Sequence, residues 1–229
     1  LDYQNKHYAE TYLTRLKKFK ASDPVLLTVV AKQLALRMAY EDIIRVAQAK
    51  VRPERFTRIR NEAKSSSEDI VIVTDFFKPG ITEIADMLPC WLGKRVLRWG
   101  QKKGKLDHFG FDMKVRTSTI VGFLKVWILA KLKFWRPRTY RWSVEQRNIE
   151  SWLNMVEKFS RIDINFAIEI AELARLIKGY GSTHRRGTAN YSKIIEILVE
   201  PCLTSGKVSA QDLENIRLSR DAATKDPDG

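Results

Sequence analysis

The chain has 229 residues, 44% of them hydrophobic and 10% aromatic, with 7 Pro and 11 Gly. That is enough apolar material for one large core or two small ones, and it excludes a low-complexity or collagen-like polypeptide. A formal charge of +14 points to an anionic partner: nucleic acid, an acidic protein, a phosphorylated ligand or a membrane surface.

Helical spacing dominates from the start. Tyr3, Tyr8, Tyr12, Leu13, Leu16 and Phe19 form an apolar stripe that ends at Ser22-Asp23-Pro24. Asp23 is placed to cap a helix with Pro24 at its first position. The apolar spacing carries that helix through Leu26, Leu27, Val30, Leu34, Met38, Ile43, Ile44 and Val46, with a bend near Tyr40. Pro53 opens a shorter basic helix through Phe56 and Ile59.

Ser65 to Asp69 is a polar break. Ile70-Val71-Ile72-Val73 follows as the one strand-like run, stopped by Pro79-Gly80, so a short extended element is expected near residues 70–78. Residues 66–115 read as irregular, with Gly93, Gly100, Gly104 and Gly110 spread through them. Leu106-Asp107-His108-Phe109-Gly110-Phe111 reads as a structural turn, because adjacent residues such as Asp107 and His108 rarely point the same way.

Helices resume near Thr117. The apolar run Ile120–Trp135 is interrupted by Lys125, Lys131 and Lys133 and falls short of the ~20 residues that cross a bilayer, so it predicts a buried helix with snorkelling lysines. Ser143-x-x-Gln146 has the form of a capping box ahead of Ile149, Trp152, Leu153, Val156 and Phe159. Asp163 is placed to cap a helix carrying Phe166, Ile170, Leu173 and Ile177. A further helix through Ile194, Ile195, Leu198 and Val199 stops before Pro201, and Ser209-x-x-Asp212 starts a short last one. The fold class is therefore mostly α, an irregular helical domain. The expected division is 1–65 (N-terminal helices), 66–115 (an irregular basic segment containing Gly and Trp), 116–220 (C-terminal helices packing with 1–65 as one domain) and 221–229 (a disordered tail).

The positive charge is concentrated. Fourteen lysines and arginines lie between Lys94 and Arg141, opposed there by Asp107 and Asp112 alone. The six tryptophans, Trp91, Trp99, Trp127, Trp135, Trp142 and Trp152, fall in or beside this stretch. Aromatics among cations suit nucleic-acid stacking, but helical spacing assigns most of them to the core. Cys90 and Cys202 are distant and form no C-x-x-C, which fits buried thiols in a reducing cytoplasm.

Nucleotide-binding glycine loops, zinc-ligand pairs and the G-x-S-x-G elbow are missing from the sequence. The most distinctive segment is Ile177 to Gly187, between two helical stretches, with three glycines, Ser182, Thr183, His184, Lys178, Arg185 and Arg186. It reads two ways. One is an anion-binding loop carrying Lys178, His184, Arg185 and Arg186. The other is a connector in which Gly179 follows a helix end and Ser182 or Thr183 caps the next helix.

The order of several stretches resembles the C-terminal helical region of the indolepyruvate ferredoxin oxidoreductase family. They are Asp2-Tyr3-Gln4 with Tyr8-Ala9-Glu10-x-Tyr12; Leu36-x-Met38-Ala39-Tyr40-Glu41-Asp42 with Val46-Ala47; Leu106-Asp107-x-Phe109-Gly110; and Ala171-Glu172-Leu173-x-x-Leu176-Ile177-Lys178-Gly179-Tyr180-Gly181-x-Thr183-His184-x-x-Gly187-x-x-Asn190-Tyr191. Proteins of that family oxidatively decarboxylate arylpyruvates to acyl-coenzyme A with thiamine diphosphate, 4Fe-4S clusters and ferredoxin. The resemblance implies a non-catalytic accessory region that binds no cofactor itself, has no catalytic residue to carry over and is the downstream part of a longer polypeptide. Its implied partners are the remainder of the subunit, the partner subunit and ferredoxin, with no membrane contact. A stand-alone basic module for nucleic acid is the alternative, with no zinc-finger or RNA-recognition motif behind it.

Overall fold

A computed structural model describes residues 2–66, 68–104, 110 and 112–226. In chain order the helices are α1 (Lys6–Lys17), α2 (Pro24–Met38), α3 (Ile43–Lys50), α4 (Pro53–Glu62), α5 (Ile81–Met87), α6 (Cys90–Lys102), α7 (Ile120–Lys131), α8 (Tyr140–Phe159), α9 (Ile164–Leu173), α10 (Ser182–Ile194), α11 (Glu200–Ser205) and α12 (Ala210–Lys225). Strands β1 (Thr74–Phe77) and β2 (Met113–Arg116) pair antiparallel, with Asp75 opposite Val115. The fold is mostly α, as the periodicity implies, and the extended element lies within residues 70–78. Its ladder starts only at Thr74, so the apolar run Ile70–Val73 leads into the strand instead of forming it.

The chain folds as two compact units, residues 1–41 with 145–229 and residues 42–144. These boundaries differ from the expected ones at 65 and 115. The physical reason lies in α3: it packs on α7, burying Ala47, Val126 and Ala130 with Val115 of β2, so residues 42–65 join the middle of the chain. The segment 66–115 is also more regular than expected, holding α5 and α6. The last helix runs to Lys225 and buries Ile216, so the expected tail from 221 is helical through 225.

In the first unit the core is built by α2, α8 and α9. Leu26, Val30, Leu34, Ile149, Trp152, Leu153, Val156, Phe159, Phe166 and Ile170 are all fully buried. Trp152 donates from Nε1 to the Ile170 carbonyl at 3.2 Å, so the indole is both packed and satisfied. Asp23 caps α2 and Asp163 caps α9, as their sequence positions predict. Two other signals misplace their elements. Instead of bending near Tyr40, the helix ends at Met38, and Asp42 caps α3 by accepting from Arg45 N at 2.7 Å. Ser143 is not an N-cap: α8 has already begun at Tyr140, and Ser143 Oγ donates to the Tyr140 carbonyl. Pro201 does not stop its helix either. A π turn over Ile195–Val199 leads directly into α11, which holds Pro201 in its first turn, where a missing N–H costs little.

In the second unit a buried ion pair ties a turn to α3. Arg136, with no exposed surface, donates from Nε to Asp42 Oδ2 at 2.6 Å and from Nη2 to Oδ1 at 3.1 Å. Asp75 of β1 collects Lys50, Arg55 and Thr117. Burial pushes the Asp75 carboxyl up, but the hydrogen bonds from Lys50 and Thr117 and the charges of Lys50 and Arg55 outweigh it and leave the group below its usual range. Contrary to the buried helix expected there, α7 buries only Gly122, Val126 and Ala130. Ile120, Val121, Leu124, Trp127 and Ile128 are exposed. A helix with apolar residues all round has only one stripe covered.

Candidate functional site

In the first unit the end of α2 and the residues after it, Glu145 of α8, residues within 174–179, His184 of α10 and Thr224 of α12 line a cavity of about 370 Å³. Its lining includes Gln33, Arg37, Tyr40, Glu41, Glu145, Arg175, Lys178, Gly179 and His184. Gln33, Arg37 and Glu145 are between 2% and 4% exposed. Gln33 and Arg37 are one turn apart on α2, which puts both on the face that carries Val30 and Leu34. Glu145 precedes Ile149 by one turn on α8 and so continues that helix's buried stripe.

The buried charges are mutually placed. Arg37 Nη2 is 4.0 Å from Glu145 Oε2, and His184 Nε2 is 3.3 Å from Glu145 Oε1. The Arg37 guanidinium also lies 5.8 Å from the ring centres of both Trp152 and Tyr191, in cation–π range. Burial pushes the Tyr191 phenol above its usual value, against the opposing charge and hydrogen bond of Arg37. Gln33 donates from Nε2 to Glu172 Oε2 at 3.2 Å, which fixes the orientation of its amide. Its Oε1 is buried with no hydrogen-bond partner.

The glycine loop supplies one wall. Gly179 and Gly181 have φ of +79° and +61°, a region that L side chains rarely adopt. Gly181 is the N-cap of α10, so Ser182 and Thr183 are the first helical residues and not its caps. The third glycine has a packing role: a Cβ on Gly187 would lie 2.1 Å from the Leu176 carbonyl oxygen. Of the four residues in the anion-binding reading, Lys178 and His184 line the cavity, whereas Arg185 and Arg186 are exposed on α10 outside its lining. The loop reading missed Gln33, Arg37 and Glu145. The available signal was polar side chains at positions where the helical period of α2 and α8 demands apolar ones.

The second unit offers a different surface. Residues 42–144 hold 22 of the 41 lysines and arginines and 10 of the 27 carboxylates, hence +12 of the +14 charges. On α6, Trp91, Arg95, Arg98, Trp99 and Lys102 recur at helical spacing and all are exposed. Trp91 and Trp99 share a face, as their spacing requires, but they are 68% and 52% exposed and do not belong to a core. Among the described residues, none of Lys94, Arg95, Arg98 and Lys102 is within ion-pair distance of a carboxylate. On α7 and just beyond it, Lys131 lies over Trp127 and Arg138 over Trp135. The Leu106–Phe111 turn, apart from Gly110, lies outside the described residues.

Cys202 is buried, donates to the Leu198 carbonyl, and has its thiol pushed up by burial and by Asp212, while Cys90 is half-buried beside Ser143. No group of three or more potential metal ligands occurs among the described residues, and no helix there is long and apolar enough to cross a membrane.

The chain belongs to a protein family of unknown function, DUF6537, whose sequence model matches residues 1–197. That span takes in the whole second unit and the first unit up to residue 197, with the α6 stripe and the cavity loop but without α11 and α12. No curated protein and no solved structure matches the chain.

Proposed function

We propose that this chain is a helical accessory region of an indolepyruvate-type 2-oxoacid:ferredoxin oxidoreductase, and that the α6 face docks an acidic protein surface. The observation that carries the docking role is the exposed stripe Trp91, Arg95, Arg98, Trp99 and Lys102 in a unit holding nearly all the net charge. Cations left without carboxylates steer an anionic partner and raise its association rate, while exposed indoles contribute contact area once docked. The order of motifs from Asp2 to Tyr191 supports the oxidoreductase assignment, and it makes ferredoxin and the rest of the cytoplasmic enzyme the partners. In that reading thiamine diphosphate, the 4Fe-4S clusters and coenzyme A are held elsewhere in the enzyme.

The test is the rate of ferredoxin reduction by the whole oxidoreductase against ionic strength. Reversing Arg95, Arg98 and Lys102 to Glu lowers the second-order rate about 10-fold or more at low salt and removes most of its salt dependence. An unchanged rate and salt slope refute the docking role. Exposed Trp91 and Trp99 among cations also suit single-stranded nucleic acid. A mobility shift at ~150 mM salt with micromolar protein would favour that alternative.

A further inference from the structure

We propose that the cavity of the first unit binds a free α-amino acid with an apolar side chain. This inference does not rest on the docking role of α6. Its starting point is Gln33 Oε1, an acceptor in a residue 2% exposed with nothing donating to it. The amide cannot satisfy itself by flipping, because Nε2 is committed to Glu172, which lies outside the cavity lining. A buried acceptor without a donor is costly, and a ligand that donates there removes the cost.

The charges around it define the rest of the ligand. The lining holds cations, Arg37, Lys178 and an Arg175 already paired with Glu172, and carboxylates, Glu41 and Glu145. A ligand of one sign would face like charge on part of this wall, whereas a small zwitterion answers both. Its ammonium donates to Gln33 Oε1 in a lining that also holds Glu145, and its carboxylate meets Arg37 and Lys178. Gln33 and Arg37 are one helical turn apart, within reach of two groups on one small molecule. The apolar part of the lining, Leu36, Ala39 and Ile177, takes the side chain, and a cavity of about 370 Å³ is of the size that holds such a molecule.

The experiment titrates the full chain with individual L-amino acids up to ~10 mM by calorimetry and by thermal shift, since binding to the folded state alone raises Tm by mass action. Each active amino acid is compared with the amine lacking its carboxylate and the acid lacking its ammonium. At least one apolar amino acid is expected to bind, with both single-charge analogues about 10-fold weaker or worse. Gln33→Met removes the acceptor at similar volume and is expected to weaken binding about 10-fold. Lys178→Glu, on the exposed rim, tests the carboxylate end without touching the core. Absence of binding by every amino acid overturns the proposal. So do analogues that bind as well as the amino acid, and unchanged affinity in a folded Gln33→Met or Lys178→Glu variant. Charge reversal on α6 leaves this binding unchanged, so either proposal fails without the other.

Discussion

Replacing Arg136 by Met leaves the Asp42 carboxylate buried without its counter-charge. In the folded protein the guanidinium is fully buried and makes two bonds to Asp42, at 2.6 and 3.1 Å, while Asp42 Oδ1 also caps α3 through Arg45 N. Removing one partner of a buried pair costs about 3–5 kcal/mol, mostly the penalty of the stranded charge and not the worth of the pair itself. Asp42→Asn keeps a capping oxygen on α3 but removes the charge. The double variant, with no charge left to strand, is therefore expected to be at least about 1.5 kcal/mol more stable than Arg136→Met alone. Urea unfolding followed by far-UV circular dichroism and tryptophan fluorescence measures each term, with equal m-values confirming a common unfolding reaction. A cost below about 1 kcal/mol for Arg136→Met, or strictly additive single effects, would refute the reasoning.

Further perturbations bear on other parts of the fold. Gly187→Ala would ordinarily strengthen a helix, but its Cβ meets the Leu176 carbonyl at 2.1 Å, so urea unfolding should show a loss of about 1–3 kcal/mol or more. The same change displaces the loop that lines the cavity, so amino-acid binding should fall with it. Asp75 has a folded-state pKa below its unfolded one; its contribution is therefore complete above the ordinary carboxylate range and disappears as pH falls through the lowered value. Acid titration of Asp75→Asn, monitored by fluorescence, should show a shallower loss of stability below about pH 4 than the parent. Glu169, 6% exposed, accepts from Arg217 at 2.7 Å and also from Arg220, both on α12. Glu169→Gln should speed hydrogen exchange of the α12 amides selectively; protection equal to that of the parent would show that Ile216 packing alone holds the helix.

How far the sequence could be read depended on whether the signal was local. Asp23 before Pro24, Asp163 before Ile164, and Ser209 with Asp212 announced helix starts because a cap needs only its neighbours. Ser143-x-x-Gln146 carried the same pattern and misled, because Thr139 already caps Trp142 N one turn earlier. For the candidate site, the loop was legible and half of its proposed residues do line the cavity. Gln33, Arg37 and Glu145 were not, since period alone marks a position as buried and cannot say that a polar residue there meets another from a distant helix.

The amino-acid sequence by itself determined the helical class, the helix caps at Asp23 and Asp163, the short extended element and the placement of the charge in the middle of the chain. These follow from periodicity, capping chemistry and composition, all of which act over a few residues. Only the tertiary structure decided that residues 42–65 join the middle of the chain, that Trp91 and Trp99 face outward, and that Gln33, Arg37 and Glu145 line one cavity. Those outcomes depend on which faces find partners: burial is a property of pairs of elements, and a single helix's pattern does not contain its neighbour.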